Sequence, residues 1–269
     1  MHKQFAYVHF FLYFCSVIIH EKERSMRKLL LLFVFISIFF ACHRPMRVAE
    51  SRGEIIVIDS TLDAIQDTSY LRYIAPSKAA LEAMLSDPIG YAPAGMNVYR
   101  PECELLNWAC DALLSMARKC YPATVDMAVV NIGGMRCEWA EGDITFRHVF
   151  ELMPFDNELV VLTMKGEEVL KLCDVMAKLG GEGVAGLRMK ARNGKVVEAT
   201  IGGKKIVPTA YYTVATSDYL SQGNDGLTPL SHYEDYWRSE KKIRDLYIEY
   251  IQQTKTVSAK VDGRMDVVL

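Results

Sequence analysis

The sequence has no excess of positive or negative charge, and it has no closely spaced pair of cysteines. It has 31 basic and 33 acidic residues without a basic stripe, so it shows no signature of a protein that binds nucleic acid. There is no Cys-x-x-Cys pair, and the cysteine spacing supports no zinc site. Five cysteines follow Cys42, an odd number that leaves at least one free thiol in an exported domain. We expect buried apolar thiols at Cys103, Cys110, Cys120, Cys137 and Cys173.

Histidines are also scarce. After Cys42 the sequence has His43, His148 and His232, and it contains no Asp-x-His or Gly-Asn-His-Glu stretch. A hydrolytic centre with two metal ions holds them roughly 3.5–4 Å apart and needs several such ligands. We therefore expect no metal ligands and no catalytic residues in this chain. His148 is expected to be packed or hydrogen-bonded, and His232 to lie in a polar loop.

The N-terminal part of the chain predicts export. Arg27 and Lys28 precede a mostly apolar run, 29–40, which ends at Ala41-Cys42. A charged start, an apolar run of about a dozen residues and a small residue before the cut are the layout of a secretory signal. The run is shorter than the roughly 20 residues that span a bilayer, although an uncleaved anchor helix is the alternative. Ala41-Cys42 resembles a lipobox, which predicts lipidation of Cys42 and a lipid-anchored protein on the periplasmic or cell-surface face of a bacterial membrane.

The domain boundaries follow from this pattern. Residues 1–41 are predicted to be the signal region, and residues 1–25 are excluded from the native protein because Met26 is the simpler start. Residues 42–53 are polar and predict a tether. Residues 54–269 are predicted to form the folded domain.

Helical and strand patterns are mixed along this domain instead of alternating regularly. Apolar spacing predicts helices over 76–85, 104–119, 145–152, 165–179 and 236–253. Short β-branched runs predict strands over 54–59, 125–130, 158–164, 187–191, 196–201, 205–207 and 211–215. Asn193-Gly194 and Gly202-Gly203 are typical hairpin turns. The mixture predicts an α+β fold with mixed sheets, hairpins and packed helices.

One candidate loop follows the predicted strand 125–130. It contains Asn131, then Gly133 and Gly134, then Arg136. Adjacent glycines let the backbone approach a ligand closely or adopt a positive φ, and an arginine presents a fork of donors to phosphate. Taken alone, the same residues fit a plain turn with a surface arginine.

Two further loops carry an aromatic residue beside a polar one. Phe155 follows a proline and precedes Asn157, which places a stacking face beside an amide. Tyr219 precedes Asp225 in a loop that also holds Gly223, and a carboxylate there suits a ribose diol. A core phenylalanine and an Asx-turn are the alternatives for each loop alone.

Taken in order and spacing, these motifs resemble the C-terminal domain of the 5′-nucleotidase/UDP-sugar hydrolase family. The likeness covers about residues 54–230. The matching segments are NIGGMR at 131–136, GDIT at 142–145, PFDN at 154–157, YTVATSDYL at 212–220 and GNDG at 223–226.

The resemblance implies a role for each loop residue. In that family two aromatic side chains sandwich the base, and they fall here on Phe155 and Tyr219. Asn157 would contact the base, Asp225 the ribose hydroxyls, and Arg136 the phosphate. Tyrosine at 219 keeps the stacking face, and stacking needs the ring and not the hydroxyl, so we expect Tyr219→Phe to cost little in binding.

The resemblance also singles out four other residues of these loops and one arginine outside them. Asn131, Gly133, Gly134 and Gly223 complete the implied substrate-binding set. Family members also carry arginines before the helix that contains Asn107, and Arg100 is the nearest arginine to that position.

Hydrolysis in this family resides in a separate N-terminal metallophosphatase domain. The resemblance therefore implies the substrate-binding half of a split 5′-nucleotidase, working with a separately encoded metallophosphatase in nucleotide catabolism or salvage. Divalent metal ions are expected in that partner and not in this chain. Two alternatives are a nucleotide-binding lipoprotein without a hydrolase partner and an inert scaffold that has lost its ligand.

Overall fold

The computed structural model describes residues 48–60 and 67–269. The chain divides into two units, of which the second, Asp67–Leu269, is the folded domain considered below. In the first unit, residues 54–59 were predicted to be an edge strand, and this is wrong. Ile55 and Ile58 are 89% and 87% exposed and form no strand. A β-branched composition does not make a strand without a neighbour to pack and pair with.

The predicted signal region, 1–41, and the lipidation site, Cys42, lie outside the described residues. None of the helices that the structure describes is long and apolar enough to cross a membrane.

The domain contains five α-helices and eleven strands within its described residues. The helices are α1 (Thr68–Ser86), α2 (Glu104–Cys120), α3 (Phe146–Leu152), α4 (Gly166–Leu179) and α5 (Ile243–Thr254). The strands are β1 (Pro88–Ala92), β2 (Met127–Val130), β3 (Gly142–Thr145), β4 (Glu158–Lys165), β5 (Gly183–Ala185), β6 (Leu187–Arg192), β7 (Lys195–Ile201), β8 (Lys204–Lys205), β9 (Tyr211–Ser217), β10 (Asp235–Lys242) and β11 (Met265–Val268).

These strands form two mixed sheets and one isolated pair. The larger sheet has the order β10-β4-β9-β2-β5, in which β2 and β9 are parallel and the other neighbours are antiparallel. The smaller sheet has the order β11-β6-β7-β8, with β11 parallel to β6. The remaining pair is β1 with β3. Mixed sheets with hairpins and packed helices confirm the predicted α+β class.

The larger sheet is buried on both faces at its centre. In β2, Ala128 and Val130 belong to the hydrophobic cluster that contains α2 and α5, whereas Met127 and Val129 belong to the cluster that contains α4 and the smaller sheet. Side chains along a strand alternate between faces, so β2 contributes to both cores. This explains why its sequence is a continuous apolar run without polar alternation.

The predicted helix over 236–253 is only partly right. Residues Asp235–Lys242 form the edge strand β10, in which Tyr236 pairs with Leu162 of β4, and α5 starts at Ile243. The free edge of β4 satisfies the backbone of this segment, and such tertiary pairing overrides a weak helical preference. Strands β1, β3, β5 and β11 were not predicted.

Helix α1 begins earlier than the predicted start at Pro76. Asp67 caps it by accepting hydrogen bonds from the backbone N–H groups of Ser69 at 3.0 Å and Tyr70 at 3.1 Å. Proline is frequent in the first helical turn, which favoured a start near Pro76, but in this helix it lies inside.

The five described cysteines are all free thiols, and the expected burial is confirmed for three of them. Cys103, Cys110 and Cys173 are buried, while Cys120 and Cys137 are half-buried. Burial raises the pKa of the Cys173 thiol to about 12, which keeps it protonated and unreactive at neutral pH.

Candidate functional site

A cavity of about 350 Å³ lies at one end of the larger sheet. Strands β2 and β9 are parallel, and β4 runs antiparallel to β9 with Leu159 opposite Ser217. The end of β2, the end of β9 and the start of β4 therefore meet at the same edge. The three candidate loops leave the sheet there, which is how segments distant in sequence line one cavity. Its lining is formed by Leu113, Val129, Val130, Asn131, Gly133, Gly134, Arg136, Met153, Phe155, Asn157, Ser217, Tyr219, Leu220, Asp225 and Ile243.

The first loop folds as a single 3-10 turn, Ile132–Gly134. A Cβ atom on Gly134 would lie 2.9 Å from Oδ1 of Asn131, closer than side chains normally pack. Gly134 does not have a positive φ, and the close contact that its missing side chain allows is with Asn131. A close approach of this backbone to a ligand stays a prediction. Gly133 is exposed, and a Cβ atom there would lie 3.4 Å from Oδ2 of Asp225.

The buried carboxylate of Glu182 is hydrogen-bonded to the backbone of this turn. Glu182 is 4% exposed, and its Oε2 accepts a hydrogen bond from the backbone N–H of Ile132 at 2.6 Å. Arg100 forms an ion pair with the same carboxylate and donates from Nε to the carbonyl oxygen of Gly181 at 2.8 Å. Burial raises the pKa of Glu182. Arg100 therefore does not line the cavity, and it acts on the loop through Glu182.

Arg136 is exposed at the cavity. Its Nη1 makes a long contact of 3.4 Å with the carbonyl oxygen of Gly133. Within residues 48–60 and 67–269, no carboxylate forms an ion pair with it. Its charge is therefore available to an anion in the cavity.

Phe155 and Tyr219 line the same cavity, and the two residues are 40% and 39% exposed. Neither ring is part of the core, which was the alternative for Phe155. The backbone of Phe155 is anchored by Arg244, which donates to its carbonyl oxygen at 3.3 Å and pairs with Asp156 at 2.7 Å. Lys242 also bonds to Asp156, and these two cations hold the pKa of that carboxyl below its ordinary value.

Asn157 is half-buried at the start of β4. Its backbone carbonyl oxygen accepts from the N–H of Ile243 at 2.9 Å, which fixes its position. None of the hydrogen bonds among the described residues involves the side-chain amide of Asn157, which lines the cavity. The amide can therefore present both a donor and an acceptor to a molecule in the cavity.

Asp225 is held by two donors from different loops. The hydroxyl of Tyr219 donates to its Oδ1 at 2.8 Å, and Nδ2 of Asn131 donates to its Oδ2. The backbone of Asp225 is left-handed with φ +55°, a conformation that a non-glycine residue adopts at a cost. Hydrogen bonding to this carboxylate raises the pKa of Tyr219.

Of the nine residues in the predicted substrate-binding set, Gly223 is the one that does not line the cavity. It has φ +80°, and a Cβ atom there would lie 3.1 Å from Cα of Thr228. Glycine is needed at this position because the loop folds back on itself, and no ligand contact is required to explain it.

Sequence reasoning missed two groups of residues. The first group is the apolar residues that helices contribute to the cavity wall, such as Leu113 of α2 and Ile243 of α5. They could have been found only from the packing of these helices. Glu182 and Arg244 support the loops from behind. Both are buried charges, which are rare unless paired, but their partners are distant in sequence.

The two described histidines have structural partners. Nδ1 of His148 accepts from the N–H of Thr145 at 3.0 Å, and Nδ1 of His232 lies 3.0 Å from Oε2 of Glu168. Within the described ranges, 48–60 and 67–269, no three His, Cys, Asp or Glu side chains are grouped as a metal site would require.

Comparison with known proteins gives one consistent family. The chain is 28% identical over 213 residues to a 5′-nucleotidase of Vibrio cholerae, covering 77% of this chain and 38% of that protein. It is 28% identical over 218 residues to the protein UshA of Yersinia enterocolitica, covering 79% and 40%. The chain thus spans less than half the length of these relatives.

A solved structure agrees with these matches. The 5′-nucleotidase precursor of Thermus thermophilus superposes with a TM-score of 0.66 at 26% identity, covering 77% of this chain and 43% of that chain. The sequence profile of the 5′-nucleotidase C-terminal domain matches residues 86–232, which include all three cavity loops. This chain belongs to the 5′-nucleotidase C-terminal domain family.

Proposed function

We propose that the cavity binds a nucleotide or nucleoside and that this chain is the substrate-recognising half of a split 5′-nucleotidase. One observation carries the proposal. Phe155, Asn157, Tyr219, Asp225 and Arg136 come from three loops that are distant in sequence, and all five line one cavity. Relatives that match this chain are named 5′-nucleotidases, which agrees with such a ligand.

The chemistry of the lining fits the three parts of a nucleotide. Two exposed aromatic rings offer faces on which a base can stack, and the free amide of Asn157 supplies hydrogen bonds to its edge. The carboxylate of Asp225 accepts from sugar hydroxyls. Arg136, which has no carboxylate partner among the described residues, supplies positive charge for phosphate.

Binding is measured by calorimetry with AMP, adenosine, UDP-glucose and a 2′,3′-cyclic nucleotide. We expect at least one of these ligands to bind wild-type protein and to lose affinity on Phe155→Ala. Tyr73→Ala, which truncates an aromatic ring that is 82% exposed on α1, is the matched control and should bind as wild type. Absence of binding by all four ligands would leave the inert scaffold as the better account.

We further propose that hydrolysis belongs to a separately encoded metallophosphatase, which would also hold the divalent metal ions. This chain spans about two fifths of the length of the relatives that it matches. The purified chain should show no phosphatase activity with Mn²⁺, Co²⁺ or Zn²⁺. Adding a metallophosphatase encoded beside this gene should give nucleotide hydrolysis that depends on Phe155. Binding without such stimulation by any partner would favour the nucleotide-binding lipoprotein.

The place of action is part of the same proposal. We propose export and lipidation at Cys42, with the domain facing the periplasm or cell surface. Mass spectrometry of the native N-terminus tests this directly. A mature protein that begins at lipidated Cys42 supports it, whereas a Cys42→Ala protein that still fractionates with membranes contradicts it.

A further inference from the structure

The hydroxyl of Tyr219 is directed at a carboxylate and not at solvent. It donates to Oδ1 of Asp225 at 2.8 Å, while Nδ2 of Asn131 donates to Oδ2 of the same side chain. Both carboxylate oxygens are thus held by the protein before any ligand arrives. The backbone N–H of Tyr219 is fixed in turn by Oδ1 of Asp218 at 2.9 Å.

The number of hydrogen bonds that the Asp225 carboxylate can still accept matches the two donors of a vicinal diol. A carboxylate has about four lone-pair positions, two on each oxygen. Tyr219 and Asn131 use one position on each oxygen, which leaves one free position on each. Two adjacent sugar hydroxyls supply two donors, so a cis-diol would complete the set.

We infer that Tyr219 is a positioning residue for ribose recognition, in addition to the stacking surface that its ring provides. Its hydroxyl holds Asp225 in the orientation that receives a vicinal diol, and it thereby increases the selectivity of the site for ribose over sugars without the diol. A phenylalanine at this position would keep the ring and lose this effect. The inference rests on the proposed nucleoside site.

The expectation that the hydroxyl is dispensable therefore applies to stacking alone. Stacking depends on the face of the ring, which tyrosine and phenylalanine share. The position of Asp225 depends on the donor. The two roles separate when ligands with the same base and different sugars are compared.

The experiment measures adenosine and 2′,3′-dideoxyadenosine binding to wild type and to Tyr219→Phe by calorimetry. We expect Tyr219→Phe to weaken adenosine about 2- to 12-fold, the range for one hydrogen bond, and to leave dideoxyadenosine within about twofold. Tyr211→Phe is the matched control, because Tyr211 is exposed and outside the cavity lining. Equal losses for both ligands, or no loss for either, would overturn the inference.

A second measurement needs no ligand. Tyrosine ionisation followed by ultraviolet difference spectroscopy should show one tyrosine whose titration moves to lower pH in Asp225→Asn and disappears in Tyr219→Phe. An unchanged titration in Asp225→Asn would overturn the inference, because the hydroxyl and the carboxylate would not be in contact. The proposed function is refuted instead if wild type binds neither these two nucleosides nor any of the four ligands named for it. This outcome is distinguished because it is seen with wild type, before any variant is measured.

Discussion

The carboxylate of Glu182 accepts a hydrogen bond from the backbone N–H of Ile132 at 2.6 Å, directly beneath the turn that carries Gly133 and Gly134. Arg100 pairs with the same carboxylate from the other side. A buried anion thus links the N–H of a cavity loop to an arginine outside the cavity. The position of the loop depends on this buried group, which does not line the cavity.

Replacing Glu182 should therefore reduce both stability and binding. In Glu182→Ala the Ile132 N–H loses its acceptor and Arg100 loses its partner, and we expect the free energy of unfolding to fall by about 1–3 kcal/mol. Glu182→Gln keeps an acceptor and should lose less. Urea denaturation and nucleoside binding measure the two effects. Wild-type stability in Glu182→Ala would show that the contact does not support the loop.

Truncating either aromatic ring of the cavity should weaken base binding. Phe155→Ala and Tyr219→Ala are each expected to cost roughly 1–3 kcal/mol, a factor of about 5 to 150 in Kd, because one stacking face is lost. If the two rings sandwich the base, we expect their planes to lie face to face with a gap of roughly 7 Å, about two stacking distances. A structure of the complex tests this gap. A base bound outside the two rings would contradict it.

Removing Arg136 should distinguish a nucleotide from its nucleoside. Since Arg136 lies at the cavity and has no carboxylate partner in the described residues, its charge should contribute to AMP binding and not to adenosine binding. We expect Arg136→Ala to weaken AMP roughly fivefold, about 1 kcal/mol for an exposed charge, with adenosine unchanged. Arg72→Ala, on the exposed helix α1, is the control. An equal loss for the two ligands would argue against a phosphate contact.

The two glycines of the first loop should respond differently to alanine. A Cβ atom on Gly134 would lie only 2.9 Å from Oδ1 of Asn131, so the Asn131 side chain would have to move. Asn131 would then lose its hydrogen bond to Asp225. We expect Gly134→Ala to remain folded and to bind adenosine roughly 2- to 12-fold more weakly. Gly133→Ala, whose Cβ atom would lie 3.4 Å from Asp225, should be affected less. Thermal unfolding and calorimetry separate the two outcomes.

The contact between Glu168 and Lys171 predicts an acid-sensitive part of the stability. The Lys171 ammonium, with His232 as a further partner, holds the pKa of Glu168 below its ordinary value of 4.5. A carboxyl whose pKa is depressed in the folded state stabilises the protein above the unfolded pKa, and this stability is lost as the pH falls through the folded pKa. Glu168→Gln should therefore have a lower Tm than wild type at neutral pH.

The difference in Tm should vanish in acid, below the folded pKa of Glu168. Glu167→Gln is the matched control, because Glu167 lies exposed in the same first turn of α4 and has no ion pair among the described residues. A Tm difference between wild type and Glu168→Gln that is the same at every pH would contradict the assignment.

The cavity loops could be predicted from the sequence because their motifs are local. The glycines before Arg136 and the spacing from Phe155 to Asn157 are short patterns that the sequence shows directly, and their order and spacing along the chain identify them as one site. Their common location was implied by the resemblance to the 5′-nucleotidase family, whereas the strand order that brings the loops to one edge of the sheet was not predicted. The supporting groups could not be predicted. Arg244 bonds to Asp156, and Glu182 to Ile132, across separations that local patterns do not register.

The errors in secondary structure have the same origin. Residues 236–242 contain aromatic and charged side chains that tolerate either helix or strand, and the open edge of β4 decides between them. Residues Ile55 and Ile58 lie in a segment with the composition of a strand but without a partner strand, and both are exposed. In both segments the presence or absence of a partner strand determines whether a strand forms, and the local sequence does not show it.

The pairing of β4 with β9 has a consequence for how ligand binding is interpreted. Phe155 precedes β4 and Tyr219 follows β9, so the register of this one pairing, with Leu159 opposite Ser217, sets the offset between the two rings. A slip by one residue would invert the faces of β4 and move Phe155 away from Tyr219. Affinity for a nucleoside would then report on strand register in the centre of the sheet, and a ligand would select the correctly paired molecules from a mixed refolded population.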